Sequence, residues 1–158
     1  MASRVPMTQQ GYEALKDSLQ RLKTVERPQN VKDIEEARAH GDISENAEFH
    51  AAKERQAMIE GQIAMTEDKL ARAQVIDPTG QTPDKVRFGA TLQLEDIQTG
   101  EKVRYRIVGE DEADVSQGLI SVTSPVAQAL MNREVNDEVK VRVPKGTREF
   151  EILEIRFE

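Results

Sequence analysis

Apolar residues in the N-terminal half recur alternately three and four positions apart in two stretches, which is the spacing of a narrow coiled-coil seam. The first stretch is interrupted near Pro28, and a short polar connection, residues 41–46, separates it from the second. The pattern predicts a long antiparallel helical hairpin with this connection as its tip. The predicted seam positions are Tyr12, Leu15, Leu19, Leu22, Val31, Ile34 and Ala37 in the first arm, and Phe49, Ala52, Gln56, Ile59, Ile63, Thr66, Leu70 and Ala73 in the second.

A few residues with special backbone preferences mark where the two helices begin, bend and end. Thr8 is an N-cap residue type placed directly before the first arm, and the turn residues 77–80 close the second. Pro28 cannot donate a backbone hydrogen bond and its ring presses on the previous turn, so we expect a kink or local break near Arg27. Arms of about 30 residues would project about 45 Å at 1.5 Å per residue.

The C-terminal half changes to the alternating pattern of β-strands, and its turns are marked by glycine. Ser124 and Pro125 predict the start of a short helix within this half. Ile152 and Ile155 break the alternation, which a β-bulge near Leu153 would repair. The predicted strands are Ala90 to Leu94, Lys102 to Val108, Leu119 to Val122, Glu138 to Val143 and Phe150 to Phe157.

The two patterns together predict an α+β protein with two domains. Residues 1–77 form the antiparallel α-helical coiled-coil hairpin, and residues 78–158 form a small globular β-sheet domain with a short helix. The break between the domains falls between Asp77 and Pro83, where turn residues cluster.

Charge and composition narrow the possible functions of the 158-residue chain, whose net charge is −7. Residues 1–77 carry 11 basic and 14 acidic side chains, and residues 78–158 carry 11 and 15. Neither half has the basic footprint of a nucleic-acid-binding domain, so we expect affinity to come mostly from a protein partner or an ion. The chain has no cysteine for disulfides or thiolate sites and no membrane-spanning apolar run, which predicts a soluble, cytoplasmic protein.

Asp42 and Glu45 in the polar connection admit two interpretations. Their spacing fits a capping box, in which an N-cap side chain and a residue three positions later satisfy each other's backbone donors. On the pattern alone this interpretation is favoured. The other is that both carboxylates are oxygen ligands for a hard cation such as Mg²⁺ at a site on another molecule. Two carboxylates alone make a poor Mg²⁺ site, so the partner would supply the remaining ligands.

Four separated segments of the chain resemble one known family, the bacterial Gre transcript cleavage factors. The first is the predicted tip, residues 36–56, which reads EARAHGDISENAEFHAAKERQ. The others are VPMTQQGYEAL from Val5, YRIVGEDEAD from Tyr105 and LISVTSPVAQAL from Leu119. Agreement in four places is highly specific. The fold of that family joins an N-terminal antiparallel coiled coil to a C-terminal domain of the FK506-binding-protein type, in agreement with the two predicted domains.

The resemblance implies a transcription elongation factor that binds RNA polymerase at the rim of its secondary channel and inserts its coiled coil into that channel. There Asp42 and Glu45 would help to hold a weakly bound catalytic Mg²⁺ shared with the polymerase. The polymerase would then hydrolyse the 3′ end of backtracked RNA and resume elongation. The chain itself would not be an enzyme, and we expect it to act as a monomer that also contacts the nascent RNA 3′ end.

The same resemblance assigns roles to further residues. Arg38 and Lys53 would form a small basic patch near the RNA 3′ end, although solvated surface charge is the ordinary role of such residues. Thr123, Ser124 and Pro125 would contact the polymerase at the channel entrance. A helix cap explains Ser124 independently, and both roles are compatible.

Three other functions remain as alternatives. The first is a channel-binding inhibitor of RNA polymerase that does not stimulate cleavage, against which the intact Asp42 and Glu45 argue. The second is a prolyl isomerase, which the C-terminal fold type suggests. That activity uses an aromatic-lined pocket, whereas this chain has no Trp, two Tyr and four Phe. The third is a helical adaptor whose tip is only a helix cap.

Overall fold

The computed structural model of the chain describes residues 4–42, 45–79 and 81–157. It contains paired long helices in the N-terminal half and a five-stranded sheet with a short helix in the C-terminal half. The predicted α+β class, with a helical hairpin followed by a small sheet domain, is therefore confirmed. Ile43 and Ser44 of the predicted tip and Gly80 of the predicted turn lie outside the described residues.

The chain forms two compact units, of which the first is Tyr12–Ala73. The second combines Arg4–Gly11 with the described chain from Gln74 onward. Residues 4–11 thus differ from the sequence analysis, which placed them with the hairpin. The reason is a two-stranded sheet that the sequence pattern did not predict, in which strand β1, Val5–Met7, pairs with strand β2, Ala73–Val75.

The first arm of the hairpin starts where the sequence predicts. Helix α1 begins at Gln9, and the Oγ1 atom of Thr8 accepts a hydrogen bond from the backbone N–H of Gly11 at 3.1 Å, so the predicted N-cap is confirmed. The second arm ends earlier than predicted, because Ala73 already has an extended backbone. The helical elements are α1 Gln9–Arg21, a π-helical turn Leu22–Glu26, α2 Arg27–Ala39 and α3 Ala47–Arg72.

Of the kink or local break expected near Arg27, the break is wrong, because a π-helical turn carries the first arm through this point. Arg27 keeps helical dihedral angles, and its N–H bonds to the carbonyl of Leu22, five residues earlier. The π turn lies directly before Pro28, where an ordinary α-helix would need the proline nitrogen to donate to Thr24. Wider turns of this kind commonly accommodate such a missing bond.

The π turn inserts one residue, which moves the buried face of the first arm by one position relative to an uninterrupted heptad. Val31, which was predicted in the seam, is 45% exposed, whereas its neighbour Asn30 is 2% exposed. Ile34 is half-buried and Ala37 is buried, as predicted. The Asn30 side-chain amide compensates for its own burial by donating to the carbonyl of Ala52 at 3.0 Å.

Contacts between the arms run in opposite order along the two helices, which confirms that the hairpin is antiparallel. Leu19 and Leu22 of the first arm pack with Ile59 and Ile63 of the second. Along the surface, Arg27 forms a two-bond ion pair with Glu60, with both N···O distances 2.8 Å. The hydrogen bond from Arg27 lowers the pKa of the Glu60 carboxyl. Both side chains are substantially exposed, so this pair contributes little to stability.

The second unit contains one mixed sheet with the strand order β5-β4-β3-β7-β6. Strands β4 and β6 have the predicted bounds, while β7 starts four residues earlier than predicted. The β3–β7 register shifts between Gln93 and Leu94, which pair with Glu154 and Ile152, so the bulge predicted at Leu153 is confirmed. The strands are β3 Thr91–Asp96, β4 Lys102–Val108, β5 Leu119–Ser121, β6 Glu138–Val143 and β7 Gly146–Arg156.

The short predicted helix packs on this sheet and completes its core. Helix α4, Pro125–Leu130, buries Ala127 and Leu130 against sheet residues that include Leu94 and Phe150. These four side chains are inaccessible to solvent. None of the helices in the described part of the chain is long and apolar enough to span a membrane.

Candidate functional site at the hairpin tip

The candidate site lies where the chain reverses between α2 and α3. His40 ends α2, and Gly41 has φ +135, a conformation that side chains other than glycine rarely adopt. The carboxylates of Asp42 and Glu45 follow, and both residues are exposed. The chain therefore presents two acidic side chains to solvent at the reversal.

Asn46 organises the start of α3 and ties it to α2. Its Oδ1 atom accepts a hydrogen bond from the N–H of Phe49 at 3.0 Å, which makes Asn46 the N-cap of α3. Its side-chain amide donates to the carbonyl of Ala37 in the other arm. The N-cap of α3 is therefore Asn46 and not Asp42. A capping box from Asp42 to Glu45 would include Ile43 and Ser44, which lie outside the described residues, so that interpretation stays open. An asparagine between two helices is the sequence signal for this double role, since its amide both donates and accepts.

The two predicted RNA-contacting residues are exposed and have separate neighbours. The guanidinium of Arg38 lies 6.0 Å from the ring centroid of Phe49, which joins the end of one arm to the start of the other. The Nζ atom of Lys53 donates to the side chain of Gln56 at 2.8 Å. Arg55 instead pairs with Glu26 in the π turn at 2.6 Å. The basic patch assigned to Arg38 and Lys53 stays a prediction. Arg55 forms an ion pair between the two arms of the hairpin.

The predicted polymerase-contacting loop precedes α4 in the second unit. Ser124 is the N-cap of α4, with its Oγ atom accepting from the N–H of Ala127 at 3.2 Å, and Pro125 is the first helical residue, so this part of the prediction is confirmed. Thr123 donates its hydroxyl to Glu110 at 3.0 Å. Thr123 and Pro125 are exposed, so the loop combines fixed backbone geometry with an accessible surface. Its role in binding a partner stays a prediction.

Fold and site together define a class of protein, in which a helical hairpin carries acidic side chains at its tip and a separate sheet unit offers a second surface. Two family models match the chain. One describes the N-terminal part of a transcription elongation factor and matches residues 5–75, and the other describes the C-terminal part of GreA/GreB and matches residues 81–157.

Two relatives agree with these matches in sequence. Transcription elongation factor GreA of Trichlorobacter lovleyi is 55% identical over 158 residues and covers 100% of both chains. The protein of the same name from an Anaeromyxobacter species is 60% identical over 154 residues, with 98% of this chain and 93% of the relative covered. A solved structure of the transcription factor Gfh1 is 32% identical, covers 99% of each chain and has a TM-score of 0.47. The chain belongs to the GreA/GreB family of transcription elongation factors, which confirms the resemblance inferred from its four segments.

Proposed function

We propose that this elongation factor binds RNA polymerase, inserts its hairpin into the secondary channel and stimulates Mg²⁺-dependent cleavage of the 3′ end of backtracked RNA. The observation that carries the proposal is the exposure of Asp42 and Glu45 at the chain reversal, where Asn46 and not Asp42 caps α3. Two exposed carboxylates at the end of paired helices suit a function on another molecule. The hydrolysis itself then belongs to the polymerase.

The dimensions of the hairpin support insertion into a channel. Helix α3 has 26 residues, which corresponds to about 39 Å at 1.5 Å per residue. The first arm is helical from Gln9 to Ala39 because the π turn replaces the expected break. Two paired helices are narrow compared with a globular domain, so only this part of the chain suits a confined space.

The tip residues fit a shared Mg²⁺ site and do not form a complete one. Carboxylate oxygens are the ligands that Mg²⁺ prefers, and the ion needs a nearly octahedral shell of six. The described residues contain no group of three His, Asp or Glu side chains that could hold a metal ion. Asp42 and Glu45 therefore supply part of a shell, and the active centre of the polymerase provides the remaining ligands.

The side chains of the tip then have distinct tasks. A bound Mg²⁺ supplies an activated water and stabilises charge at the phosphorus centre. Asp42 and Glu45 bring negative charge and oxygen donors to the edge of the polymerase active centre. Arg38 and Lys53 are within one or two helical turns of the tip and position the RNA 3′ end by contacts with its phosphates. Two cations add only modestly to affinity, so most binding energy comes from the polymerase surface.

Binding to the polymerase is assigned to the loop of Thr123, Ser124 and Pro125. We expect Pro125→Asp to weaken binding to a halted elongation complex by about tenfold, since it places a charge in a contact surface. The fold is retained because an acidic residue suits the first turn of a helix. Gln128→Asp introduces the same charge at an exposed position of α4 and serves as the control. Equal affinities of both variants and the unaltered protein would contradict the assignment of this loop.

The experiment that tests the proposed function measures RNA length in a halted, backtracked elongation complex with and without the protein. The proposal predicts shortening of the RNA from its 3′ end and the return of the complex to elongation. Binding without shortening would support the channel-binding inhibitor instead. A factor that neither binds nor shortens the RNA would contradict both functions.

A further inference from the structure

The carboxylate of Glu112 accepts hydrogen bonds from two parts of the second unit that are far apart in the sequence. Glu112 ends a short 3₁₀ turn, Glu110–Glu112, that follows strand β4. Its Oε2 atom accepts from the backbone N–H of Gly109 at 2.9 Å and of Thr8 at 3.0 Å. Its Oε1 atom accepts from the Thr8 hydroxyl. One acidic side chain thus satisfies three donors, two of them on a residue 104 positions away in the chain.

Thr8 connects this carboxylate to the first turn of α1. Its hydroxyl oxygen accepts from the N–H of Gly11 while its hydroxyl hydrogen is donated to Glu112. Thr8 is 2% exposed and the preceding Met7 is 3% exposed, whereas Glu112 is half-buried, so these bonds are partly shielded from solvent. Hydrogen bonds to a charged group in such surroundings are stronger than those between neutral groups.

The segments approach closely at two glycines. A Cβ atom built at Gly11 would overlap the carboxyl end of the Glu112 side chain, so a side chain there would displace that carboxylate. A Cβ atom built at Gly109 would lie 2.7 Å from the carbonyl oxygen of Pro6, so a side chain there would force the backbone to shift.

We propose that Glu112 is a positioning residue for transcript cleavage, which fixes the segment of Thr8 to Gly11 and thereby the origin of helix α1. The inference rests on the proposed function. The first residues of α1 belong to the second unit, whereas the helix continues into the first arm of the hairpin. Helices are stiff, so a small displacement at the origin of α1 becomes larger along the arm. Misplacement of a reacting group by about 1 Å can lower a rate by about 100-fold.

The test compares two variants that release these bonds with two that keep them. Glu112→Met keeps a side chain of similar length but has no acceptor oxygens, and Thr8→Val removes the hydroxyl without changing the size. Thr8→Ser retains the hydroxyl and is the conservative rescue. Glu134→Gln removes an exposed carboxylate elsewhere in the second unit and is the matched control. Each variant is measured for affinity to a halted elongation complex, for cleavage rate at saturating factor, and for amide hydrogen exchange at Thr8, Gly11 and Gly109.

We expect Glu112→Met to lose amide protection at Thr8 and Gly109, and Thr8→Val to lose it at Gly11. Both variants should cleave about tenfold more slowly at saturation, with affinity unchanged within about twofold. Thr8→Ser and Glu134→Gln retain the original values. Lost protection with an unchanged saturated rate would overturn the positioning role. Unchanged protection would overturn the hydrogen-bonded arrangement itself. If the unaltered protein stimulates no cleavage, the proposed function and the positioning role both fail, while the exchange data still decide whether the hydrogen-bonded arrangement exists.

Discussion

Replacing Asp42 by Asn together with Glu45 by Gln should lower the rate of stimulated RNA cleavage about 100-fold or more, as the removal of preorganised charge from an active centre commonly does. Both substitutions keep the size and shape of the side chains but remove the negative oxygen donors that Mg²⁺ requires. Because Asn46 and not Asp42 caps α3, the helix and its hairpin are expected to survive the change. The measurement is the rate of RNA shortening in a backtracked elongation complex at saturating factor.

A matched control distinguishes an effect of the tip carboxylates from an effect of the net charge of the hairpin. Glu35→Gln together with Glu36→Gln also removes two negative charges, here from exposed positions of α2, and we expect cleavage to stay near its original rate. Cleavage that persists in the tip variant would refute the metal role of Asp42 and Glu45. Loss of polymerase binding in that variant would instead identify the tip as a contact surface.

The second large effect concerns stability, and it falls on Asn30. We expect Asn30→Asp to lower the free energy of unfolding of the hairpin by about 3 kcal/mol or more at neutral pH, the usual cost of an uncompensated buried charge. Asn30 is 2% exposed and donates to the carbonyl of Ala52. An ionised carboxylate of the same size has no hydrogen to donate and faces that oxygen directly. Chemical denaturation followed by far-ultraviolet circular dichroism measures the loss, since most helical residues lie in the hairpin.

The pH dependence of this variant gives an internal check. Burial raises the pKa of the introduced carboxyl above its unfolded value, so the charge penalty is complete above the raised pKa. The penalty decreases as pH falls and disappears below about pH 4, the ordinary pKa of an aspartic acid. Asn30→Leu is the apolar comparison, which buries no charge and has no such dependence. A penalty that is equal at pH 7 and pH 4 would contradict the buried environment of Asn30.

Local patterns in the sequence predicted much of the fold. The alternation of apolar and polar residues predicted the observed bounds of strands β4 and β6, because these strands bury one face and expose the other. The skipped step between Ile152 and Ile155 predicted the bulge at Leu153, since a core-facing strand must restore its phase. Thr8 and Ser124 predicted caps because the side chains that satisfy helix ends are few.

Other parts of the fold depend on information that a local pattern does not carry. Asn30 and not Val31 is the buried residue after the π turn, and a polar residue in a seam is not expected from its hydropathy. A proline predicts an irregularity but does not choose between a break and a wider turn. The bond between Thr8 and Glu112 joins residues 104 positions apart, so only the folded chain brings them together.

The sequence predicted which residues form the candidate site but did not predict how they are arranged. The type and position of Asp42 and Glu45 indicated carboxylates at a helix reversal, and a capping box explained them as well as a metal site did. The structure assigns the cap of α3 to Asn46 and leaves both carboxylates exposed. The remaining ligands of a shared site belong to another molecule, so no property of this chain alone could specify them.

The most direct test of the central claim measures how cleavage depends on Mg²⁺ concentration in a backtracked elongation complex. Three samples are compared. The first contains the unaltered factor, the second contains the double variant Asp42→Asn and Glu45→Gln, and the third contains no factor. If the tip carboxylates contribute ligands, half-maximal cleavage with the unaltered factor occurs at lower Mg²⁺ than in either other sample, whose curves coincide. An identical half-maximal Mg²⁺ concentration in all three samples would contradict the account.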